Sequence, residues 1–333
     1  MILVTGATGL VGGHLLWHLL QQHEEIVAIK RASSNTNTIR TVFKFYTKNP
    51  DEYLKRIIWR IADVNDFHAL HEAMSGIEQI YHCAAVVSLG GQGVNINDVN
   101  VSGTRNMVEL ALTHQVKKFC FVSSIAACGF SHKGELIDEE TPFQNSVHRT
   151  PYAVSKYEAE QEVWKGVEKG LKAVIVNPGV ILGVSGAKSG SALLFHQVKR
   201  GMMFYTLGGS GYVDVQDVAK AMILLMDSDI HSERFILVSE NNSNQEILNW
   251  MSTGFKKRKP IMRVGRRLIM VVGFFSEITG KIFGYTPLLD RSMGVSATNR
   301  SYYSSQKLKD TLGFRFNPIS KCIADVCNFM LQN

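Results

Sequence analysis

Tyr152 and Lys156 stand four residues apart in Pro151-Tyr152-Ala153-Val154-Ser155-Lys156. On a helix that spacing puts a phenol and an ammonium on one face. A free phenol has a pKa of about 10, too high for acid–base work near neutrality. A nearby ammonium favours the phenolate and lowers that value, at about 1.4 kcal/mol of differential interaction per unit. Ser123 and Ser124 follow an apolar run, residues 119–122, that reads as a strand. They fall at the carboxyl edge of a parallel sheet, where open α/β folds bind ligands. A serine hydroxyl there can hydrogen-bond a carbonyl oxygen and fix its direction. These residue types suit proton transfer to a carbonyl group.

A second constellation lies at the start of the chain. Thr5-Gly6-Ala7-Thr8-Gly9-Leu10-Val11-Gly12 follows the apolar run 2–4 and precedes a leucine-periodic segment, Leu15, Leu16, Leu19 and Leu20. In this G-x-x-G-x-x-G, Gly6 allows a tight turn, Gly9 lets backbone approach a pyrophosphate, and Gly12 lets the helix pack on the sheet. The helix N-terminus offers free N–H groups and a positive dipole end to phosphates. Gly6, Thr8, Gly9, Leu10 and Val11 are the expected contacts of a dinucleotide. The second strand, 26–29, runs into Lys30-Arg31-Ala32-Ser33-Ser34. An acid usually holds the ribose 2′-hydroxyl here. Arg31 can instead fork onto a 2′-phosphate and Ser33 can donate to it, so NADP(H) is expected, with NAD(H) as the alternative. Asp63 and Val64, after the third strand, are placed to meet the adenine.

Apolar strand-like runs at 2–4, 26–29, 57–61, 80–85, 119–122 and 173–176 alternate with helix-period segments, among them 152–169. Such βαβ units form a parallel sheet with helices on both faces. After Gly179 the alternation weakens. Residues 213–226 read as a helix and 235–238 as a late strand, while 240–333 read as mainly helical, with Pro260, Pro287 and Pro318 as breakers. The expected fold is α/β: a Rossmann-type doubly wound parallel sheet with a smaller, mainly helical C-terminal substrate domain. Residues 1–179 and 213–239 form the first unit, and 180–212 with 240–333 the second.

These motifs, taken in order, resemble the extended (atypical) short-chain dehydrogenase/reductases, the NAD-dependent epimerase/dehydratase family. The resemblance rests on residues 5–12, Asp63-Val64, His82-Cys83-Ala84-Ala85, Asn100-Val101-Ser102-Gly103-Thr104, residues 122–129, residues 152–156, Asn177-Pro178-Gly179 and residues 213–219. It implies that Tyr152 is the general acid–base, Lys156 its electrostatic partner and a holder of the nicotinamide ribose, and Ser124 the group that orients substrate. Ala84, Ala85 and Val86 would line the ribose and nicotinamide side, with Ser123 and Asn100 close by. Pro178 and Val180 would flank the carboxamide. The family's tyrosine four residues after the orienting serine is Cys128 here, and Asp214 and Asp217 read as structural. Sugar-nucleotide epimerases usually carry an arginine in the stretch that is Gly208-Gly209-Ser210-Gly211-Tyr212-Val213 here. The chain is more similar to the dihydroflavonol 4-reductase-like branch. The apolar stretch 192–207 suits a small apolar carbonyl substrate or, equally, core packing. The leading expectation is an NADPH-dependent ketone or aldehyde reductase. The alternatives are an NAD-dependent sugar-nucleotide epimerase/dehydratase and a non-catalytic NADP-binding regulator.

A formal charge of +7, from 36 Lys and Arg against 29 Asp and Glu, fits an anionic cofactor; no aromatic-interleaved basic motif points to nucleic acid. The five cysteines lack zinc-site spacing and read as core thiols of a reducing, cytoplasmic compartment, and the histidines show no metal pattern. The N-terminus starts on a strand-like run without a signal-peptide pattern. The apolar stretch 268–275 is short of the ~20 residues that span a bilayer. Lys256-Lys257-Arg258-Lys259, Arg263, Arg266 and Arg267 precede it. They read better as a solvated loop leading to a pocket-capping helix than as a membrane-surface segment. The resemblance also implies homodimer pairing through the helices near 100–115 and 152–169.

Overall fold

The structure, a computed structural model, describes residues 1–87, 95–130, 135–144, 149–186, 190–265 and 299–333. Seven parallel strands form the main sheet: β1 (Ile2–Thr5), β2 (Ile26–Lys30), β3 (Ile57–Ile61), β4 (Gln79–His82), β5 (Lys118–Val122), β6 (Ala173–Pro178) and β10 (Glu233–Leu237), in the order β10-β6-β5-β4-β1-β2-β3. Its helices are α1 (Leu10–Leu19), α2 (Asn37–Tyr46), α3 (Pro50–Leu54), α4 (Phe67–Ala73), α5 (Gly103–Thr113), α6 (Pro151–Glu168) and α8 (Val215–Asp227).

Strand alternation creates the two faces. Ile2, Val4, Cys120, Val122, Val174 and Val176 point into one cluster, with Leu15 and Leu16 of α1 and Val218 and Met222 of α8. Leu3, Phe119, Phe121, Ala173 and Ile175 point into the other, with Leu70 of α4, Met107 and Leu110 of α5, and Val163 of α6. A sheet buried on both sides needs apolar residues at every position, which is why its strands read as unbroken apolar runs. Because all seven strands run the same way, their carboxyl ends share one edge. Thr5, His82, Val122 and Pro178 end there.

A second sheet, order β11-β9-β7, joins β7 (Val180–Leu182), β9 (Gly209–Asp214) and β11 (Glu240–Ser243). It packs with α7 (Ser191–Arg200), α9 (Asn244–Gly254) and α11 (Ile319–Gln332) around Leu182, Phe195, Tyr212, Ile247, Met251 and Ile323. Two short strands, β8 (Phe204–Tyr205) and β12 (Met262–Arg263), form a separate ribbon, and α10 (Gln306–Leu312) lies beside β10.

Three local expectations change, and one left open falls to packing. The fourth strand ends at His82 rather than residue 85, because Asn100 captures the Val86 backbone from the side. Val213 and Asp214 close β9, and the Asp214 side chain caps α8 by accepting from the Gln216 N–H at 2.9 Å. Residues 240–243, too polar to read as a strand, pair antiparallel with β9. Much of the apolar stretch 192–207 is core: Ala192, Phe195 and Val198 are buried, and Leu194, Met202 and Tyr205 pack against the same cluster. The apolar segment 268–275, with Arg266, Arg267 and Pro287, lies outside the described residues.

Candidate active site

The glycine turn is built by close approach. Gly6 has φ +64°, and a Cβ there would lie 2.6 Å from the Ala84 N atom and from the Cys83 carbonyl carbon. The exits of β1 and β4 meet at that point with no room between them. A Cβ on Gly12 would lie 2.3 Å from the Gly6 carbonyl oxygen, so the first turn of α1 rests directly on the loop. Gly9 caps α1 without a side-chain hydrogen bond and is exposed. The leading amides of α1 therefore open beside a turn in which Gly6 and Gly9 carry no side chain, a cradle suited to a diphosphate. Thr8 and Leu10 are half-buried around it and Val11 is buried.

A buried polar ladder connects this turn to the start of α6. The register of β1 and β4 sets Thr5 opposite His82. The Ala84 N–H donates to Thr5 Oγ1 at 3.2 Å, and Thr5 Oγ1 lies 2.7 Å from His82 Nδ1. His82 Nε2 lies 3.1 Å from Thr104 Oγ1, which donates to the Asn100 carbonyl at 2.6 Å. A carbonyl only accepts, so the Thr104 hydroxyl proton is committed and its oxygen must accept from His82. The ring therefore carries its proton on Nε2, and Nδ1 accepts from Thr5. Burial holds the His82 pKa down to about 3, with the Lys156 charge acting the same way, so the ring is neutral. Asn100 continues the ladder. Its Oδ1 accepts from the Val86 N–H at 2.8 Å, and its Nδ2 donates to the Val86 carbonyl and to Ser155 Oγ, each at 3.0 Å. Ser155 Oγ donates to the Tyr152 carbonyl at 2.9 Å. Ala84 and Val86, on either side of Ala85, are thus held by side chains from other elements.

α6 opens with Thr150, whose hydroxyl accepts from the Ala153 N–H at 3.1 Å, and with Pro151 in its first turn. That cap delivers Tyr152 to the sheet edge, next to Ser124. Ser124 begins the short turn Ile125–Ala127, its Oγ accepting from the Ala126 N–H at 3.1 Å. One helical turn on, Lys156 is buried; its Nζ donates to the Val122 carbonyl at 2.7 Å and lies 4.8 Å over the Phe121 ring. The expected lowering of the phenol pKa by Lys156 is not what this structure holds. Burial raises Tyr152 above its ordinary value, and the neighbouring Ser124 hydroxyl opposes the rise. Desolvation brings Lys156 itself down to about 8, against the pull of Glu160.

Glu160, a further turn along α6, escaped the sequence reading. It is fully buried, accepts from Asn177 Nδ2 at 2.5 Å, and faces the Arg234 guanidinium at 3.5 Å. Asn177 Nδ2 also donates to the Ser124 carbonyl at 3.0 Å, so Glu160 braces the turn that presents Ser124. Its spacing of eight from Tyr152 and four from Lys156 was the available signal. Ser123 is buried near Glu160, and its hydroxyl has no hydrogen-bond partner among the described residues. Cys128 is fully buried beneath the turn, its thiol pushed up to about 12 by burial, and does not reach the surface where a substrate would lie.

The remaining positions surround the same edge. Lys30 lies 5.6 Å over the Trp59 ring, whereas Arg31 is exposed and, among the described residues, makes no ion pair. Its backbone N–H donates to Ser34 Oγ at 3.1 Å, closing the turn that also exposes Ser33. Asp63 is half-buried, one carboxylate oxygen accepting from the Asn65 N–H at 3.0 Å, and Val64 packs under Gly103. Pro178 is buried at the end of β6, and Val180 is 39% exposed just beyond it. Asp217 accepts from the Asn317 backbone and side-chain N–H groups at 2.7 and 2.9 Å, a tie between α8 and the C-terminal segment.

Residues 2–237 match the model of the NAD dependent epimerase/dehydratase family. A putative dihydroflavonol 4-reductase of Synechocystis sp. is 30% identical, over 98% of this chain and 93% of that one. The chain belongs to the NAD dependent epimerase/dehydratase family. The solved structure of gox2253 matches with a TM-score of 0.81 at 28% identity, covering 100% of this chain and 98% of that one. A UDP-glucose 4-epimerase of Thermus thermophilus, solved in complex with NAD, has a TM-score of 0.75 at 20% identity, covering 99% and 98%, a likeness of fold. The family is one of NAD(P)-dependent, oxidoreductase-type enzymes, and the Rossmann-type architecture expected from the sequence stands.

Proposed function

We propose that the chain is an NADPH-dependent reductase of a ketone or aldehyde. The observation that carries this reading is that Tyr152 and Ser124 lie side by side at the carboxyl edge of the sheet, with Lys156 buried one turn behind Tyr152. Residues 1–179 and 213–239 hold the coenzyme in this reading, and 180–212 with 240–333 shape the substrate side. The uncapped start of α1 and the turn opened by Gly6 and Gly9 take the diphosphate. Ala84 to Val86, fixed by Thr5 and Asn100, line its path toward Lys156.

When bound, the reduced nicotinamide supplies a hydride equivalent to the carbonyl carbon. Ser124 holds the carbonyl oxygen and Tyr152 gives it a proton. A phenol whose pKa is raised stays protonated at neutral pH, the state an acid needs for reduction. The Lys156 charge then acts on the phenolate left behind, and protons from solvent restore it. Incubating the protein with NADPH and a panel of apolar ketones and aldehydes tests the reading. Coenzyme oxidation at 340 nm with at least one of them is expected; none across the panel, with coenzyme bound, argues for a regulator.

Lys156 sets a pH signature. Its ammonium is lost as pH rises through about 8, so kcat/KM should fall above that pH as a single ionisation. Stability should move the other way. An unfolded lysine keeps its proton to about 10.5, so between about 8 and 10.5 the unfolded chain binds more protons and this group's contribution rises with pH. A pH–rate profile set beside thermal unfolding over the same range checks both slopes.

Arg31 decides the coenzyme. Arg31→Ala should raise the NADPH Kd roughly 10- to 100-fold, the worth of a charge-assisted hydrogen-bonded pair. The NADH Kd should stay unchanged, and equal effects on both would remove Arg31 from the 2′-phosphate. A second reading, an NAD-dependent sugar-nucleotide epimerase or dehydratase, is favoured by the likeness to the Thermus epimerase fold. Against it, residues 208–213 carry no cation for a sugar diphosphate. Conversion of UDP- or dTDP-sugars without added coenzyme would support that alternative.

A further inference from the structure

The ribbon of β8 and β12 gathers apolar side chains on the outside of the protein. The strands pair in parallel, Met262 opposite Phe204 and Arg263 opposite Tyr205. The Met203 carbonyl accepts from the Ile261 and Met262 N–H groups at 3.2 and 3.0 Å, so the ribbon is fastened through its backbone. One side anchors it: Met202 and Tyr205 pack against the second core and Pro260 is buried. Four other side chains of these segments are exposed. Met203 is 58% exposed, Phe204 47%, Ile261 83% and Met262 50%. Single exposed apolar residues are ordinary; four on two paired segments form a patch, and such patches mark interaction sites.

Charge narrows the partner. Lys256, Lys257, Arg258, Lys259 and Arg263 are exposed on the same segment as Ile261 and Met262. Residues 196–205 and 255–265 contain no Asp or Glu. A second copy placed face to face on this patch would set these cations against themselves, because a two-fold contact brings like to like. A surface that is apolar a few ångströms down and anionic on top meets both features at once. Among the described residues no helix is long and apolar enough to cross a membrane.

We propose that the β8–β12 ribbon docks this protein onto an anionic lipid surface, with Met203, Phe204, Ile261 and Met262 entering the interface and Lys256 to Lys259 and Arg263 lying over the headgroups. The proposal is independent of the reaction catalysed.

Co-sedimentation of the full chain with vesicles tests it. Binding is expected to vesicles of phosphatidylcholine with phosphatidylglycerol, weakly or not at all to phosphatidylcholine alone, and it should fall with salt. Replacing Lys256, Lys257, Arg258 and Lys259 with Gln should weaken binding by roughly fivefold per charge. The Ile261→Ser, Met262→Ser double variant, with its unfolding temperature unchanged, should bind at least tenfold more weakly at the same charge. No sedimentation of the wild type with anionic vesicles overturns the proposal, as does equal binding by all variants. A wild-type dimer that the double variant converts to monomer in analytical ultracentrifugation, with vesicle binding unmoved, assigns the patch to a subunit interface instead. A changed KM for carbonyl substrate with unchanged vesicle binding assigns it to the substrate entrance, which also overturns the lipid contact.

Discussion

Tyr152→Phe should lower kcat by about 10²- to 10⁴-fold, the usual contribution of a positioned acid, while leaving the NADPH Kd within about twofold. The substitution removes one oxygen atom. The backbone that places the residue does not depend on that atom: Thr150 caps α6, and Ser155 and Asn100 hold the Tyr152 carbonyl from below. Folding and coenzyme affinity should therefore survive, and the loss should fall on turnover. Ser124 would keep its Ala126 hydrogen bond and could still hold a carbonyl oxygen, so the remaining activity should be that of orientation without an acid. Stopped-flow absorbance at 340 nm, with coenzyme affinity from fluorescence titration, separates the two quantities. An unchanged kcat removes Tyr152 from the reaction. An equal loss of coenzyme binding makes its role structural.

Gly6→Ala should cost the fold heavily, and coenzyme binding with it. Two separate penalties apply. The left-handed backbone at φ +64° disfavours a side chain by about 1–2 kcal/mol. The new methyl would also meet backbone, not a flexible side-chain end, at 2.6 Å. The atoms it strikes belong to Cys83 and Ala84, so relief of the clash moves the loop that Thr5 holds in place. Gly170→Ala is the control. Gly170 has φ +99° but nothing within 4 Å of an added Cβ, so only the conformational penalty applies there. Thermal unfolding should show both variants destabilised, Gly6→Ala the more. Only Gly6→Ala should weaken NADPH binding, by tenfold or greater. If the two variants match in both measurements, the close approach of β1 and β4 carries no weight.

The glycine turn and the Tyr152–Lys156 pair were readable because each lies within one short segment, where spacing alone defines geometry. The parallel sheet was readable because burial on both faces leaves unbroken apolar runs. The polar ladder was not. Its members, Thr5, His82, Asn100, Thr104 and Ser155, come from four parts of the chain, and their meeting depends on the register that sets Thr5 opposite His82. Nothing in local composition encodes that register. Glu160 was hidden differently. It sits among Glu158 and Glu162 in what reads as a polar helix surface, yet Glu158 is exposed, Glu162 pairs with Arg105 and Lys165, and Glu160 alone is fully buried. The same concealment affected Lys156. Its neighbour at i−4 suggested an ammonium against a phenol, but the sheet edge offers it the Val122 carbonyl, and the depression expected at Tyr152 gives way to one at Lys156 itself. α2 was missed because its Thr- and aromatic-rich sequence forms helices weakly; Ile39, Val42 and Phe43, buried against α1 and its neighbours, hold it in place.

The central claim is that Tyr152 and Ser124 serve a carbonyl group facing a dinucleotide laid along the glycine turn. Label transfer reads it most directly: NADPH carrying deuterium at the transferable C4 position is incubated with the protein and a carbonyl compound that it turns over. The account predicts one deuterium on the carbinol carbon of the alcohol for each coenzyme oxidised, and almost none with Tyr152→Phe. Alcohol formed without deuterium, or coenzyme bound by the wild type and never oxidised with any carbonyl offered, would contradict it.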